Sequence, residues 1–158
     1  MTNYKQLHQH YLEVLAMDGL DHGTKKAMVE CIVGQLPGRG WIVKGITQAA
    51  LEALAENNYK KGPKVVRGHV EKRHDTYTTL VETPFLDYQE WFDFIIANTT
   101  TYVCTKDENK KHGTGHWSHT YDFNDKPEWL FEAVKIGFAH RKCDADWLRE
   151  WDTARPTV

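Results

Sequence analysis

The sequence predicts a helix-rich α+β fold, a single domain over residues 1–158 with a small sheet or β-ribbon. Several runs repeat apolar residues at helical spacing between capping and breaking residues, and three shorter runs have the β-branched or glycine-punctuated character of strands. With 158 residues, 41% of them hydrophobic, the chain can fill one continuous core.

Tyr4, Leu7, Tyr11, Leu12 and Leu15 recur at helical spacing, which predicts a helix near 3–17 that ends before Gly19, with His8 and His10 on its polar face. A second helix begins after Asp21 or Thr24, either of which can cap free amides, and buries Ala27, Met28, Cys31 and Ile32. It must stop by Leu36-Pro37-Gly38. A strand is predicted at 40–45, followed by Thr47 as the cap of an alanine-rich helix over 48–56. Asn57-Asn58 ends that helix, and the turn Lys61-Gly62-Pro63 leads to a second strand at 64–70.

The stripe Tyr88, Trp91, Phe92, Ile95 and Ile96 predicts a helix over 86–97, and the β-branched run 99–104 a third strand. The polar stretch 107–125 reads as an ordered loop. Asp125 can cap, Pro127 suits a first turn and Glu128 favours the positive end of a helix dipole, so a helix is predicted there, burying Trp129, Leu130, Ala133, Val134, Ile136 and Phe138. A last short helix at 144–151 buries Trp147, Leu148 and Trp151. The helical tryptophans Trp91, Trp129, Trp147 and Trp151 are therefore core residues, while Trp41 and Trp117 lie near glycines.

No apolar run approaches the roughly 20 residues needed to span a bilayer, and the N-terminus lacks signal-peptide order, so a cytoplasmic location without membrane contact is expected. Cys31, Cys104 and Cys143 form no Cys-x-x-Cys pair and read as buried free thiols. A net charge of −2 excludes a generally basic coat. Charge is uneven, however: residues 57–75 carry an excess of four positive charges, whereas 76–104 hold four acids and no Lys or Arg. Walker, dinucleotide, Gly-x-Ser-x-Gly and His-Glu-x-x-His patterns are absent.

Two segments concentrate the chemistry. Arg67-Gly68-His69-Val70-Glu71-Lys72-Arg73-His74-Asp75 places titratable and cationic groups beside an apolar strand. Phosphodiester cleavage needs a base for water and cations for the phosphate, and Gly68 removes a side chain where a phosphate backbone would approach. In the second, Asp107, Asn109 and His112 offer oxygen and nitrogen donors, while Thr105 caps a short helix with Glu108 closing a capping box.

A Gly68-His69 strand end, followed by the strand 99–104, Thr105, Asn109 and a basic helix start, resembles the HNH, or ββα-metal, nucleases over about residues 69–112. The resemblance implies a histidine base from the first strand, here His69, and metal ligands from the following helix, with Asn109 at the closing Asn or His position. It makes Asn98 the middle Asn that positions the histidine loop. The chain departs from the family in having Gly68 where an acidic residue or histidine usually precedes the base, in a spacing lengthened by the helix 86–97, and in lacking Cys-x-x-Cys knuckles.

The expected function is metal-dependent endonuclease cleavage of DNA. His69, Arg73 and His74 form its catalytic set, and Lys64, Arg67, Lys110 and Lys111 hold the nucleic acid. Asp107, Asn109 and His112 are the expected ligands of Mg²⁺ or Mn²⁺, with Zn²⁺ the alternative. Two rival readings stand beside it: a non-enzymatic module that binds nucleic acid or a protein through the basic segment 60–73, and a small-molecule hydrolase or lyase using His112, His116 and His119 of the loop 112–119.

Overall fold

The computed structural model describes residues 3–36, 42–111, 114–131 and 140–156, so Trp41, His112 and the part of the helix expected after Asp125 that covers 132–138 lie outside the described residues. The chain is helix-rich α+β with a four-stranded mixed sheet. In order, the elements are α1 (Tyr4–Ala16), α2 (His22–Val33), β1 (Ile42–Thr47), α3 (Gln48–Glu56), β2 (Val65–His69), α4 (Arg73–Glu82), α5 (Tyr88–Asn98), β3 (Thr100–Thr105), α6 (Lys106–Lys110), β4 (Thr120–Asp122) and α7 (Lys142–Ala154). No helix among the described residues is long and apolar enough to cross a membrane.

Contacts divide the chain into two compact units. The first comprises Met1–Ile42 and His69–Thr100, the second Val43–Gly68 and Thr101–Val158. Helices α1, α2, α4 and α5 build the first around Tyr11, Val29, Leu80, Trp91 and Ile95. Side-chain oxygens of Asn3, Asp21 and Asp87 cap α1, α2 and α5, relieving amides that a helix start leaves unpaired. Tyr11 is fully buried, and its hydroxyl donates to the Leu80 carbonyl at 2.7 Å and accepts from the Phe85 amide at 3.2 Å. His8 is buried too, against its expected place on a polar face: its Nε2 bonds the Phe85 carbonyl at 2.8 Å, and its ring packs 5.2 Å from that of Trp91.

Helix α4 has no predicted counterpart. Lys72 offers it no side-chain cap, and its inward face is only Thr76, Tyr77 and Leu80, so no strong apolar stripe marks it.

In the second unit the sheet runs β2-β3-β1-β4, with only the strand-end residues Ile42, His69 and Thr100 assigned to the first. β2 and β3 are antiparallel: the Val70 amide donates to the Thr100 carbonyl at 3.1 Å, and the Lys106 amide to the Lys64 carbonyl at 2.8 Å. β1 and β4 are also antiparallel, with Gly45 opposite Asp122 and Thr47 opposite Thr120. Since the sheet is mixed, its central pair β3 and β1 runs parallel. Gly45 is required at its place, because a Cβ there would stand 2.1 Å from the Tyr121 carbonyl oxygen.

Val43, Ile46, Leu54, Val103, Phe131 and Leu148 form this unit's core, each side chain of that size contributing about 1.5–3 kcal/mol on full burial. Trp147 and Trp151 pack against it, with the Phe123 ring edge-on at 5.4 and 5.0 Å from theirs. Trp129 is exposed rather than core. Its neighbours 128–131 form turns instead of the expected helix, with Asp125 and Phe131 in the left-handed region at φ 54° and 52°. The cause is tertiary: the Phe131 amide donates to Asp144 on α7 at 2.8 Å, outweighing the local helix signal.

Candidate functional site

Parallel neighbours β1 and β3 end side by side on threonines, and each threonine caps the helix that follows. Thr47 Oγ1 accepts from the Ala50 amide of α3 at 3.2 Å, and Thr105 Oγ1 accepts from the Glu108 amide of α6 at 3.1 Å. The buried Glu108 carboxylate then gathers both ends. It accepts from Thr47 Oγ1 at 2.7 Å, the Thr105 amide at 2.9 Å, the Ser118 amide at 2.8 Å and the Ser118 hydroxyl at 2.6 Å. Ser118 Oγ in turn accepts from the Ala49 amide at 3.0 Å, tying the loop before β4 to the first turn of α3. Burial alone would raise the Glu108 carboxyl, but donors on Ser118, Thr105 and Thr47 outweigh it and hold the group below the usual glutamate range.

Beside this network, α6 returns across β2. A Cβ on Gly68 would stand 2.7 Å from Cys104 Sγ, 2.9 Å from the Trp117 ring and 3.2 Å from Asn109 Oδ1. The expected opening for a phosphate at Gly68 is therefore a packed contact, filled by β3, α6 and the loop before β4. Burial, with the Glu108 charge nearby, pushes the Cys104 thiol up to about 12. Cys104 matches the expected buried thiol, whereas Cys31 and Cys143 are exposed, and all three are free. Alkylation of the native protein is therefore expected to modify Cys31 and Cys143 rapidly and Cys104 only after denaturation, a pattern that mass spectrometry of the labelled peptides checks.

His69 is the last residue of β2 and half-buried. Arg67 lies two residues earlier on the strand, and Lys64 is exposed just ahead of it. Arg73 and His74 stand on α4 in the first unit. Arg73 pairs with Glu30 of α2 and lies over the Tyr77 ring at 5.9 Å, and His74 Nδ1 meets the Lys26 ammonium. These contacts give both residues a helix-packing role, and the basic run 57–75 divides between the two units. Asn98 donates to the Phe94 carbonyl of its own helix at 2.8 Å.

The expected metal ligands do not assemble among the described residues. Asp107 and Asn109 are two positions apart on α6, about 200° around a helix of 3.6 residues per turn. Asp107 projects outward, 90% exposed with Lys110 Nζ at 3.8 Å, while Asn109 approaches Gly68. His112 lies outside the described residues, and no three His, Cys, Asp or Glu side chains among those described cluster as a metal ion would require. Lys110 and Lys111 are exposed at the end of α6.

The histidine loop is also divided in its uses. His116 closes a short 3-10 turn, and the exposed His119 packs its ring 4.8 Å from that of Tyr121 while its carbonyl accepts from the Gln48 amide at 2.7 Å. Ser118 is the loop residue that reaches the buried carboxylate, a role the sequence reading missed. The Thr105-x-x-Glu108 capping box was its only local signal. Comparison of the chain with protein-family models, with curated proteins and with solved structures finds no match.

Proposed function

We propose that this chain hydrolyses phosphodiester bonds in DNA, with His69 as the general base. One observation carries the reading: β2 and β3 pair antiparallel, α6 follows β3 without a gap, and Asn109 on that helix packs onto Gly68, the residue before His69. Strand, strand and helix thus follow one another as in the ββα nucleases, with α4 and α5 inserted between the strands. In the reaction an imidazole nitrogen of His69 takes a proton from water as its oxygen attacks phosphorus. The bond from phosphorus to the leaving oxygen breaks, and that oxygen takes up a proton from solvent. Lys64, Arg67, Lys110 and Lys111 are the cations assigned to the phosphates.

Supercoiled plasmid incubated with the protein in Mg²⁺, Mn²⁺, Zn²⁺ or EDTA tests this. Open circles are expected to accumulate with at least one divalent ion and not to form in EDTA. Plasmid that is retained in a salt-sensitive manner yet uncut under every condition would replace hydrolysis with simple binding.

A further inference from the structure

A separate cavity lies wholly within the second unit, between the turn that follows α3 and the first half of α7. Its volume of about 580 Å³ suits a small ligand. Lys60 and Lys61 line one wall, Arg141, Lys142 and Arg149 the other, and Asp146 is the single carboxylate among the described lining residues. Even with the buried Asp144 behind Arg141 counted, the cations exceed the acids by three among the described residues.

Two carboxylates orient three of these five cations and leave a net positive charge. Asp144 Oδ2 accepts from Arg141 Nε at 3.0 Å, and the same guanidinium donates to the Trp129 carbonyl at 2.6 Å, which fixes its plane. Asp146 takes both Lys142 and Arg149, the latter at 3.0 Å, and Arg149 also donates to the Asn58 carbonyl at 3.1 Å. The opposite wall is held as firmly. Asn58 and Tyr59 both sit in the left-handed region, at φ 53° and 60°, a conformation that side-chain-bearing residues rarely adopt. Tyr59 is kept there by its amide on the Leu54 carbonyl at 2.6 Å, its hydroxyl on Asp152 at 2.8 Å and its carbonyl under His140 Nε2 at 2.7 Å. That turn delivers Lys60 and Lys61 to the cavity. Burial keeps His140 below the usual histidine range, so the positive charge comes from the lysines and arginines.

Like charges crowded around one concavity repel one another, and a multiply charged anion relieves that repulsion. Fixed guanidinium forks match phosphate oxygens in pairs. Because Asp144 already takes the Arg141 amide at 2.7 Å, the start of α7 meets an anion with side chains rather than with that amide. We propose that this cavity binds phosphate groups, either of a free phosphoanion or of a nucleic-acid backbone. The proposal does not rest on cleavage by His69.

Binding is measured in EDTA by calorimetry with inorganic pyrophosphate and by fluorescence anisotropy with a labelled single-stranded oligonucleotide, using native protein and His69→Ala alike. Lys60→Glu/Lys61→Glu, at exposed positions, is expected to weaken binding about tenfold or more and to lower the slope of log affinity against log salt by about one per lysine. Lys5→Glu on α1, a reversal outside the cavity, is expected to leave both unchanged. Oligonucleotide binding that pyrophosphate displaces assigns the site to a backbone; pyrophosphate binding without oligonucleotide binding assigns it to a free phosphoanion. Failure of both probes to bind, or an affinity that the double reversal leaves unchanged, would overturn the proposal.

Discussion

Glu108→Ala is expected to lower the unfolding free energy by about 3–5 kcal/mol, seen as a lower urea midpoint in tryptophan fluorescence. The substitution removes the acceptor of Thr47 Oγ1, the Thr105 amide and both donors of Ser118 at once. Buried donors without acceptors each cost about 1–3 kcal/mol, and a small side chain leaves a cavity among them. Glu108→Gln should lose less, since one oxygen remains an acceptor while the amino group faces donors. Acid provides an independent check. The folded-state pKa of Glu108 is depressed, so its stabilisation is fully present above the pKa of an unfolded glutamate, about 4.3, and fades as pH falls through the lower folded value. Asp144 is depressed as well: burial opposes ionisation there, but the Arg141 guanidinium and the Phe131 and Arg141 amides outweigh it. Both carboxylates therefore lose their contributions as pH falls below the ordinary carboxylate range, and Glu108→Gln should flatten part of that loss. A protein equally stable with alanine at 108 would remove this network from the account.

His69→Ala is expected to reduce plasmid cleavage by about 10²–10⁴-fold, the usual range for loss of a general base, with a cooperative melting transition above the assay temperature as evidence of folding. His8→Ala separates chemistry from packing. His8 is buried against Phe85 and Trp91, so its loss should lower stability while the folded fraction keeps its cleavage rate. The contrast matters because an unfolding defect can imitate the loss of a catalytic group.

Local chemistry made much of the fold legible. The helix expected over 48–56 is observed as Gln48–Glu56 with Thr47 as its cap, because an alanine-rich run and a capping hydroxyl agree. Three expected strands occur at Ile42–Thr47, Val65–His69 and Thr100–Thr105, close to the glycine-punctuated and β-branched runs that predicted them. Strand β4 escaped notice because it has three residues and owes its existence to Gly45, far away in sequence, which lets the Tyr121 backbone close on β1. Helix α4 escaped because its polar, threonine-rich surface buries little.

The same division applies to the site. The capping box of Thr105 and Glu108 is a local pattern and was readable, whereas the partners Thr47 and Ser118 are 61 and 10 residues away from Glu108 and join it only through sheet order. The basic run showed where cations are abundant, but only packing separates Lys60 and Lys61, which line a cavity with α7, from Arg73, which pairs with Glu30 on α2.

Chemical rescue of His69→Ala tests the hydrolytic proposal most directly. Supercoiled plasmid is followed as it converts to open circles by the native protein, by the variant, and by the variant with added imidazole. The account expects rapid conversion, near-complete loss and partial recovery that grows with the fraction of unprotonated imidazole as pH rises. Conversion by the variant at the native rate without imidazole would contradict it.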